Sequence, residues 1–268
     1  VTLRKGKIND RIDIYFVGNA EYYDREGIYG DRKGDYRDNL ERFTFFSRAV
    51  FEGMKQINWK PDIIHCHDWQ VGLVPAYMKT IYRDDPFYSN TSVVFTIHNL
   101  AYQGNFTTDK YYVIGLGWEE FVYEKIEYYG TFSLLKAGIV YSDKITTVSE
   151  TYSREIQTKA FGCGFEGVLE WRSKDLVGII NGIDYSIWNP EGDEFIKKKY
   201  SVKNIKKKIF NKADILKESS LPSDRKEVVP LIGIISRLAE QKGFDLIKSC
   251  IEELMSFDLQ IVYSWYGG

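Results

Sequence analysis

The sequence predicts an α/β fold built as two layered units, and three observations predict it. Short β-branched apolar runs recur along the chain, stretches of helical periodicity separate them, and the alternation restarts after about residue 175. Brief runs that are apolar on both faces read as buried strands of a parallel sheet, and their alternation with amphipathic helices reads as βαβ units.

In chain order, Asp13-Ile14-Tyr15-Phe16-Val17 reads as a buried strand. Phe43, Phe46, Val50 and Met54 then recur at three- and four-residue steps and mark a helix. Asp62-Ile63-Ile64 is the next strand, followed by a helix striped with Leu73, Ala76, Tyr77 and Thr80. Val93 to Ile97 and Lys144 to Val148 are two further strands, and Glu150 to Ala160 reads as helix. The second unit opens on Val177-Gly178-Ile179-Ile180 and runs through a lysine-rich helical stretch to a strand over Val228 to Ile235. A helix follows with Ile247, Cys250, Ile251 and Leu254 on one face, then a strand at Leu259 to Val262. The expected division is 1–175 and 176–268, and the second part falls below the usual size of a doubly wound domain, so it reads as incomplete. The first residue is Val1, and residues 1–17 read as the middle of a sheet; a missing front end is expected.

The 268 residues carry 36 Lys and Arg against 38 Asp and Glu, a net charge of −2, with 44% apolar residues. That balance excludes dominant disorder and lacks the basic footprint of a nucleic-acid or anionic-membrane binder. No apolar stretch approaches the ~20 residues that span a bilayer, and no signal-peptide core follows Val1-Thr2-Leu3-Arg4-Lys5. Cys66, Cys163 and Cys250 fit no zinc or disulfide spacing and suit a reducing cytosol. Lys197-Lys198-Lys199 and Lys206-Lys207-Lys208, with acidic residues nearby, read as a solvated helix face.

All three histidines fall at strand ends, where open parallel sheets line their ligand crevice: His65 and His67 after Ile64, His98 after Ile97. His-x-His-Asp also resembles a metal-ligand set, but that chemistry needs imidazoles from later strands and none follows His98; no metal is expected. One of His65 and His67 equally suits a satisfied polar group in a packed corner. Gly162-Cys163-Gly164-Phe165-Glu166-Gly167 matches the dinucleotide fingerprint literally, yet no strand leads into it, so it reads as a loop bringing backbone close to a neighbour, and no cofactor is expected. Arg237 ends the strongest strand of the second part, with Lys242 five residues on. Spacing fits a diphosphate clamp or surface cations pairing with Glu240 or Asp245. Asn181-Gly182 fits a tight turn or a ligand-facing loop.

Several strings in register along nearly the whole chain resemble the bacterial glycogen synthase and plant starch synthase family. They include Tyr22 to Gly27, Pro61-Asp62-Ile63-Ile64-His65-Cys66-His67-Asp68-Trp69-Gln70, Phe95-Thr96-Ile97-His98-Asn99-Leu100-Ala101-Tyr102-Gln103-Gly104, Phe132 to Gly138, Gly164 to Leu169, Asn181-Gly182-Ile183-Asp184 with Trp188-Asn189-Pro190, and Ser236-Arg237-Leu238 with Gln241-Lys242-Gly243. The resemblance implies two Rossmann-like domains of the glycosyltransferase B type facing across a cleft, the second incomplete here. It implies transfer of glucose from ADP-glucose to the non-reducing end of an α-1,4-glucan, with retention and without metal. By that analogy His98 sits beside the donor glucose, Asp68 and Asn99 lie near the sugar, Tyr29 lies near the nucleotide, Asn181 is a cleft residue, and Arg237 and Lys242 hold the ADP phosphates.

Three departures accompany these matches. The family's Lys-x-Gly-Gly loop and its glutamate beyond the strand at Leu259 to Val262 have no counterpart here, so the chain is expected to be an inactive fragment holding half a donor site. The final Tyr263-Ser264-Trp265-Tyr266-Gly267-Gly268 replaces the family's Leu-Gly-x-Gly, which predicts a frame shift in the encoding DNA. Two alternatives keep their place: a UDP-glucose donor on the same fold, and a non-catalytic glucan-binding chain.

Overall fold

The computed structural model describes residues 2–264, so the terminal string read as a frame shift lies outside the described residues from Trp265 onward. The chain divides into two compact units, the first ending at Asn181 and the second starting at Gly182.

The first unit opens with an antiparallel hairpin, β1 (Thr2–Ile8) and β2 (Ile12–Gly18), turning through Asn9 at φ 52°. This corrects the buried strand expected at Asp13 to Val17. The pair forms a sheet of its own, Ile12 and Phe16 are more than half exposed, and Lys5 pairs with Asp13 at 2.8 Å. A local turn meets the backbone's hydrogen-bonding demand with a neighbouring arm, which apolar run length alone does not reveal.

Helix α1 (Ala20–Tyr23) and the short ladder of β3 (Gly30–Asp31) with β4 (Gly34–Asp35) lead into α2 (Asn39–Gln56). Its buried stripe is Leu40, Phe43, Thr44, Ser47, Phe51 and Met54, whereas Phe46 and Val50 are half-buried, so the core face is rotated from the apolar stripe. Polar residues account for the rotation. Arg42 is buried because its guanidinium donates to the Tyr22 carbonyl at 2.8 Å and to Asn39 Oδ1 at 2.6 Å.

Next come β5 (Ile63–His67), α3 (Leu73–Lys79) and β6 (Ser92–Ile97). A small sheet of β7 (Asn105–Phe106), β8 (Glu127–Tyr128) and β9 (Thr131–Ser133) surrounds α4 (Tyr111–Ile114) in sequence. The unit closes with α5 (Leu134–Tyr141), β10 (Lys144–Thr147), α6 (Glu150–Glu155), α7 (Glu166–Trp171) and β11 (Leu176–Gly178). Helix α6 stops at Glu155, short of the expected Ala160.

Four strands form one parallel sheet in the order β11-β10-β6-β5. Register puts Cys66, Phe95, Ile145 and Leu176 in one cross-strand row, all buried in a core shared with Phe51, Leu73, Tyr77 and Leu135. Burial pushes the Cys66 thiol up to about 12. The opposite row is His67, Thr96, Thr146 and Val177. Val177 therefore belongs to the first unit's sheet and does not start the second unit: β11 pairs with β10, and Ile179 N–H donates to the Thr147 carbonyl at 2.8 Å.

Two glycines set how closely the layers meet. A Cβ on Gly138 of α5 would lie 2.3 Å from the Phe95 ring, and one on Gly72 would lie 1.8 Å from the Leu134 carbonyl oxygen. Gly72→Ala is expected to destabilise the unit by about 3 kcal/mol, since backbone cannot swing aside as a side chain can. Urea unfolding should show a lower midpoint at unchanged slope; an unaltered midpoint would show that the loop yields freely.

The second unit holds α8 (Lys208–Glu218), β12 (Leu231–Ile235), α9 (Phe244–Ser256) and β13 (Gln260–Ser264), with β12 and β13 parallel. The expected strand from Val228 begins only after Pro230, which has no N–H to give a ladder. Lys206 and Lys207 end a 3-10 segment over Val202–Lys207 that is kinked at Asn204, and Lys208 opens α8; all three are exposed, and Lys197 pairs with Asp214 at 2.7 Å. Among this unit's described residues only Leu216 and Val229 are buried apolar side chains, while Ile235, Leu246 and Met255 stand mostly in solvent.

Candidate active site

Period-two alternation in β5 turns Ile64 and Cys66 into the core and leaves His65 and His67 outside. His67 lies in register with Thr96, and His98 follows the end of β6 on the same face. The rings meet. His65 and His67 have centroids 4.2 Å apart, and His67 Nδ1 lies 3.0 Å from His98 Nε2. His65 Nε2 lies 2.6 Å from Thr96 Oγ1, which is 2.5 Å from Thr146 Oγ1. Burial holds the His67 imidazole below its ordinary range, and the neighbouring His65 and His98 add to the effect against the opposing pull of Asp68. Among the described residues no three His, Cys, Asp or Glu side chains gather in a metal-binding group.

Asp68 sits at φ 59° and ψ 179°, a conformation nearly reserved for glycine that costs on the order of 1–3 kcal/mol. Its hydrogen bonds hold it there. The Asp68 N–H donates to the Thr96 carbonyl at 2.9 Å, and its Oδ1 accepts from the His98 N–H at 2.8 Å. Asp68 thus fixes the backbone of His98 while His67 contacts its ring.

The loop beyond His98 is pinned residue by residue. Asn99 Oδ1 accepts from the Ala101 N–H at 3.1 Å, and the Leu100 N–H donates to the Tyr152 hydroxyl at 3.0 Å. Gly104, at φ 58°, lies against the Trp69 ring so closely that a Cβ would come within 2.4 Å. Gln103 Nε2 and the Tyr128 hydroxyl both donate to the Cys163 carbonyl, at 2.9 and 2.8 Å. The glycine-rich string at Gly162 to Gly167 therefore does bring backbone close to a neighbour, with Gly164 at φ 85° beside the Tyr128 hydroxyl.

Tyr29 connects to this region through rings: its centroid lies 6.3 Å from Phe43, which meets Trp69 edge-on at 4.9 Å. Asn181 is exposed, three residues past the end of β11 and so at the same carboxyl end of the sheet as His67 and His98. The first unit thus brings His98, Asp68 and Asn99 together, with Tyr29 linked through Phe43 and Trp69.

Arg237 and Lys242 belong to the second unit. Arg237 follows the end of β12, and Lys242 closes a 3-10 turn just before the 13-residue α9. Both are exposed, and among the described residues neither forms an ion pair with Glu240 or Asp245. A guanidinium and an ammonium held ahead of a helix N-terminus can receive an anion.

A groove of about 750 Å³ opens elsewhere on the first unit, lined by Tyr123, Tyr129, Lys136, Phe165 and Trp171 among others, and includes none of the histidines. The candidate site is thus marked by its chemistry and not by concavity. Sequence position does not decide between His65 and His67, and no motif marks the Thr96 and Thr146 hydroxyls that stand behind His65; an i, i+2 histidine pair on one strand face is the available signal.

Comparison with known proteins agrees with the motifs. The family model described as starch synthase catalytic domain matches residues 1–171. The glycogen synthase of Koribacter versatilis is 47% identical over 249 residues, 93% of this chain and 51% of its own length. Glycogen synthase 2 of Geobacter sulfurreducens is 46% identical over 260 residues, 97% of this chain and 53% of its own. The chain therefore spans about half the length of the relatives it matches. The catalytic domain of starch synthase IV from Arabidopsis thaliana, solved with ADP and acarbose, superposes with a TM-score of 0.86 at 31% identity, covering 98% of this chain and 53% of the neighbour. The α/β class of the glycosyltransferase B type follows from that likeness and the parallel sheet, and the chain belongs to the starch synthase catalytic domain family.

Proposed function

We propose that the complete protein is a retaining glucosyltransferase that moves glucose from ADP-glucose to the non-reducing end of an α-1,4-glucan. The observation that carries this reading is His98, held at the carboxyl end of a parallel strand by Asp68 through its backbone and His67 through its ring. Breaking the bond to the diphosphate leaves positive charge at the anomeric carbon and negative charge on the departing ADP. An imidazole beside the hexose would orient it through a directional hydrogen bond. Asp68 and Asn99 belong to the sugar side in this reading, Tyr29 and Asn181 to the surrounding cleft, and exposed Arg237 and Lys242 to the leaving diphosphate. The unit ending at Asn181 carries the sugar chemistry, and the unit from Gly182 begins the nucleotide-binding domain. The ADP held by the Arabidopsis neighbour supports an adenine nucleotide, and three free thiols support a cytoplasmic setting.

The test is glucose incorporation from ADP-glucose into glycogen by the complete protein, paired with calorimetric ADP affinity. Arg237→Ala and Lys242→Ala should each weaken ADP binding about tenfold, the loss of one charge-assisted contact worth roughly 1.5 kcal/mol. Unaltered ADP affinity in both variants removes the clamp from the reading. Absence of incorporation by the complete protein removes the reading itself.

A further inference from the structure

We propose that His67 is a positioning residue that holds His98 as its Nε2–H tautomer, so that His98 presents Nδ1 as a hydrogen-bond acceptor for a hydroxyl donor. The inference rests on the function proposed above only in naming that donor as a sugar hydroxyl; the tautomer itself stands on the geometry of the imidazoles.

The contact is specific about which nitrogens meet: Nδ1 of His67 and Nε2 of His98, 3.0 Å apart. A neutral imidazole has one N–H and one lone pair, so one ring donates and the other accepts. In water a neutral histidine prefers the proton on Nε2. If His98 donates from Nε2 to the Nδ1 lone pair of His67, both rings keep that preferred form. The reverse direction would force both onto Nδ1–H. The observed pairing therefore favours one proton placement for two rings at once.

His67 is itself held. Its ring packs on His65 at a centroid distance of 4.2 Å, and His65 is anchored by Nε2 to the Thr96 hydroxyl at 2.6 Å and through it to Thr146. Burial and the adjacent imidazoles oppose a proton on His67, which keeps its Nδ1 lone pair available as an acceptor. Asp68 meanwhile bonds the backbone of His98, so ring orientation and backbone position have separate supports. With Nε2 committed, the nitrogen that a ligand addresses is Nδ1, and it offers a lone pair. A hydroxyl can donate to it; a phosphate oxygen or a carbonyl cannot.

The test is a two-bond proton–nitrogen correlation spectrum of the imidazoles in the 268-residue chain, at a pH where all three are neutral. His98 should show a pyrrole-type Nε2 and a pyridine-type Nδ1. His67→Phe keeps a flat ring and removes the acceptor, and should move the His98 Nδ1 resonance toward the pyrrole range as the second tautomer becomes populated. His67→Asn places an amide oxygen where Nδ1 stood and should restore the wild-type pattern. A wild-type His98 carrying its proton on Nδ1 would overturn the proposal, as would a His67→Phe spectrum unchanged at His98, or an asparagine variant shifted as far as the phenylalanine one. The wild-type spectrum can overturn the proposal even if a variant folds poorly, and the contrast between the phenylalanine and asparagine variants ties the tautomer to His67. Failure of glucose transfer with the tautomer intact would count against the function alone.

Discussion

Under the proposed function, His98→Ala in the complete protein is expected to lower kcat by about 10²–10³-fold while leaving donor affinity within a few-fold of wild type, the scale for losing one preorganised group at a site of developing charge. The expectation has a structural basis. His98 is exposed, and its backbone N–H is held by Asp68, so removing the imidazole leaves strand, loop and main-chain position in place. In the proposed reading, what disappears is an oriented ring beside the hexose, whose contact would strengthen as the sugar flattens and gains charge. Steady-state kinetics with ADP-glucose and glycogen, beside calorimetric titration of donor, separate the two quantities. Equal losses in turnover and affinity would mean that His98 only binds, and the transition-state role would fall.

Arg172→Ala should be the most destabilising substitution of a charged residue in the first unit, at about 4 kcal/mol, with a drop in thermal midpoint of roughly 10 °C. Arg172 is 8% exposed, and its guanidinium donates to the carbonyls of Ile139 at 2.6 Å, Val140 at 2.8 Å and Ser142 at 2.8 Å. These are the last carbonyls of α5 and the residue that follows, the groups a helix leaves without internal partners. The same side chain reaches Asp175 at 3.3 Å, just before β11 enters the sheet. One residue therefore closes a helix end and steers the next strand. Alanine would leave buried carbonyls unpaired, a penalty beyond the lost contacts. Arg172→Lys, with three donors and no planar fork, should recover only part of the loss. A change below about 1 kcal/mol on thermal unfolding, the range of an exposed ion pair, would show that water reaches these carbonyls.

Much of the first unit was legible because its strands obey a simple rule. Ile63-Ile64, Val93 to Ile97 and Lys144 to Thr147 are short, β-branched and bounded by polar turns, and each is a strand of the parallel sheet. The candidate site was legible from position, since histidines at and after the ends of such strands emerge at the carboxyl edge. Other elements depended on long-range contacts. The Asp13 to Val17 strand was read from composition, but its partner was the adjacent hairpin arm. The α2 stripe was displaced because Arg42, Thr44 and Ser47 are buried, and an apolar count cannot see polar groups satisfied inside. Val177 looked like a new beginning because the preceding helix ended; only pairing with Thr146 assigns it to the older sheet. The His67 to His98 contact spans 31 residues and requires register, which spacing does not contain.

The three thiols differ in a way that gives the molecule two addresses. Cys66 is sealed in the core with its thiol pushed up to about 12, Cys163 is exposed on the loop before α7, and Cys250 is half-buried on α9. Maleimide dyes added to the folded chain should pass over the first and mark the other two, one in each compact unit. Each unit therefore carries a native attachment point of its own, and mass spectrometry of the labelled chain should find dye on Cys163 and Cys250 and none on Cys66.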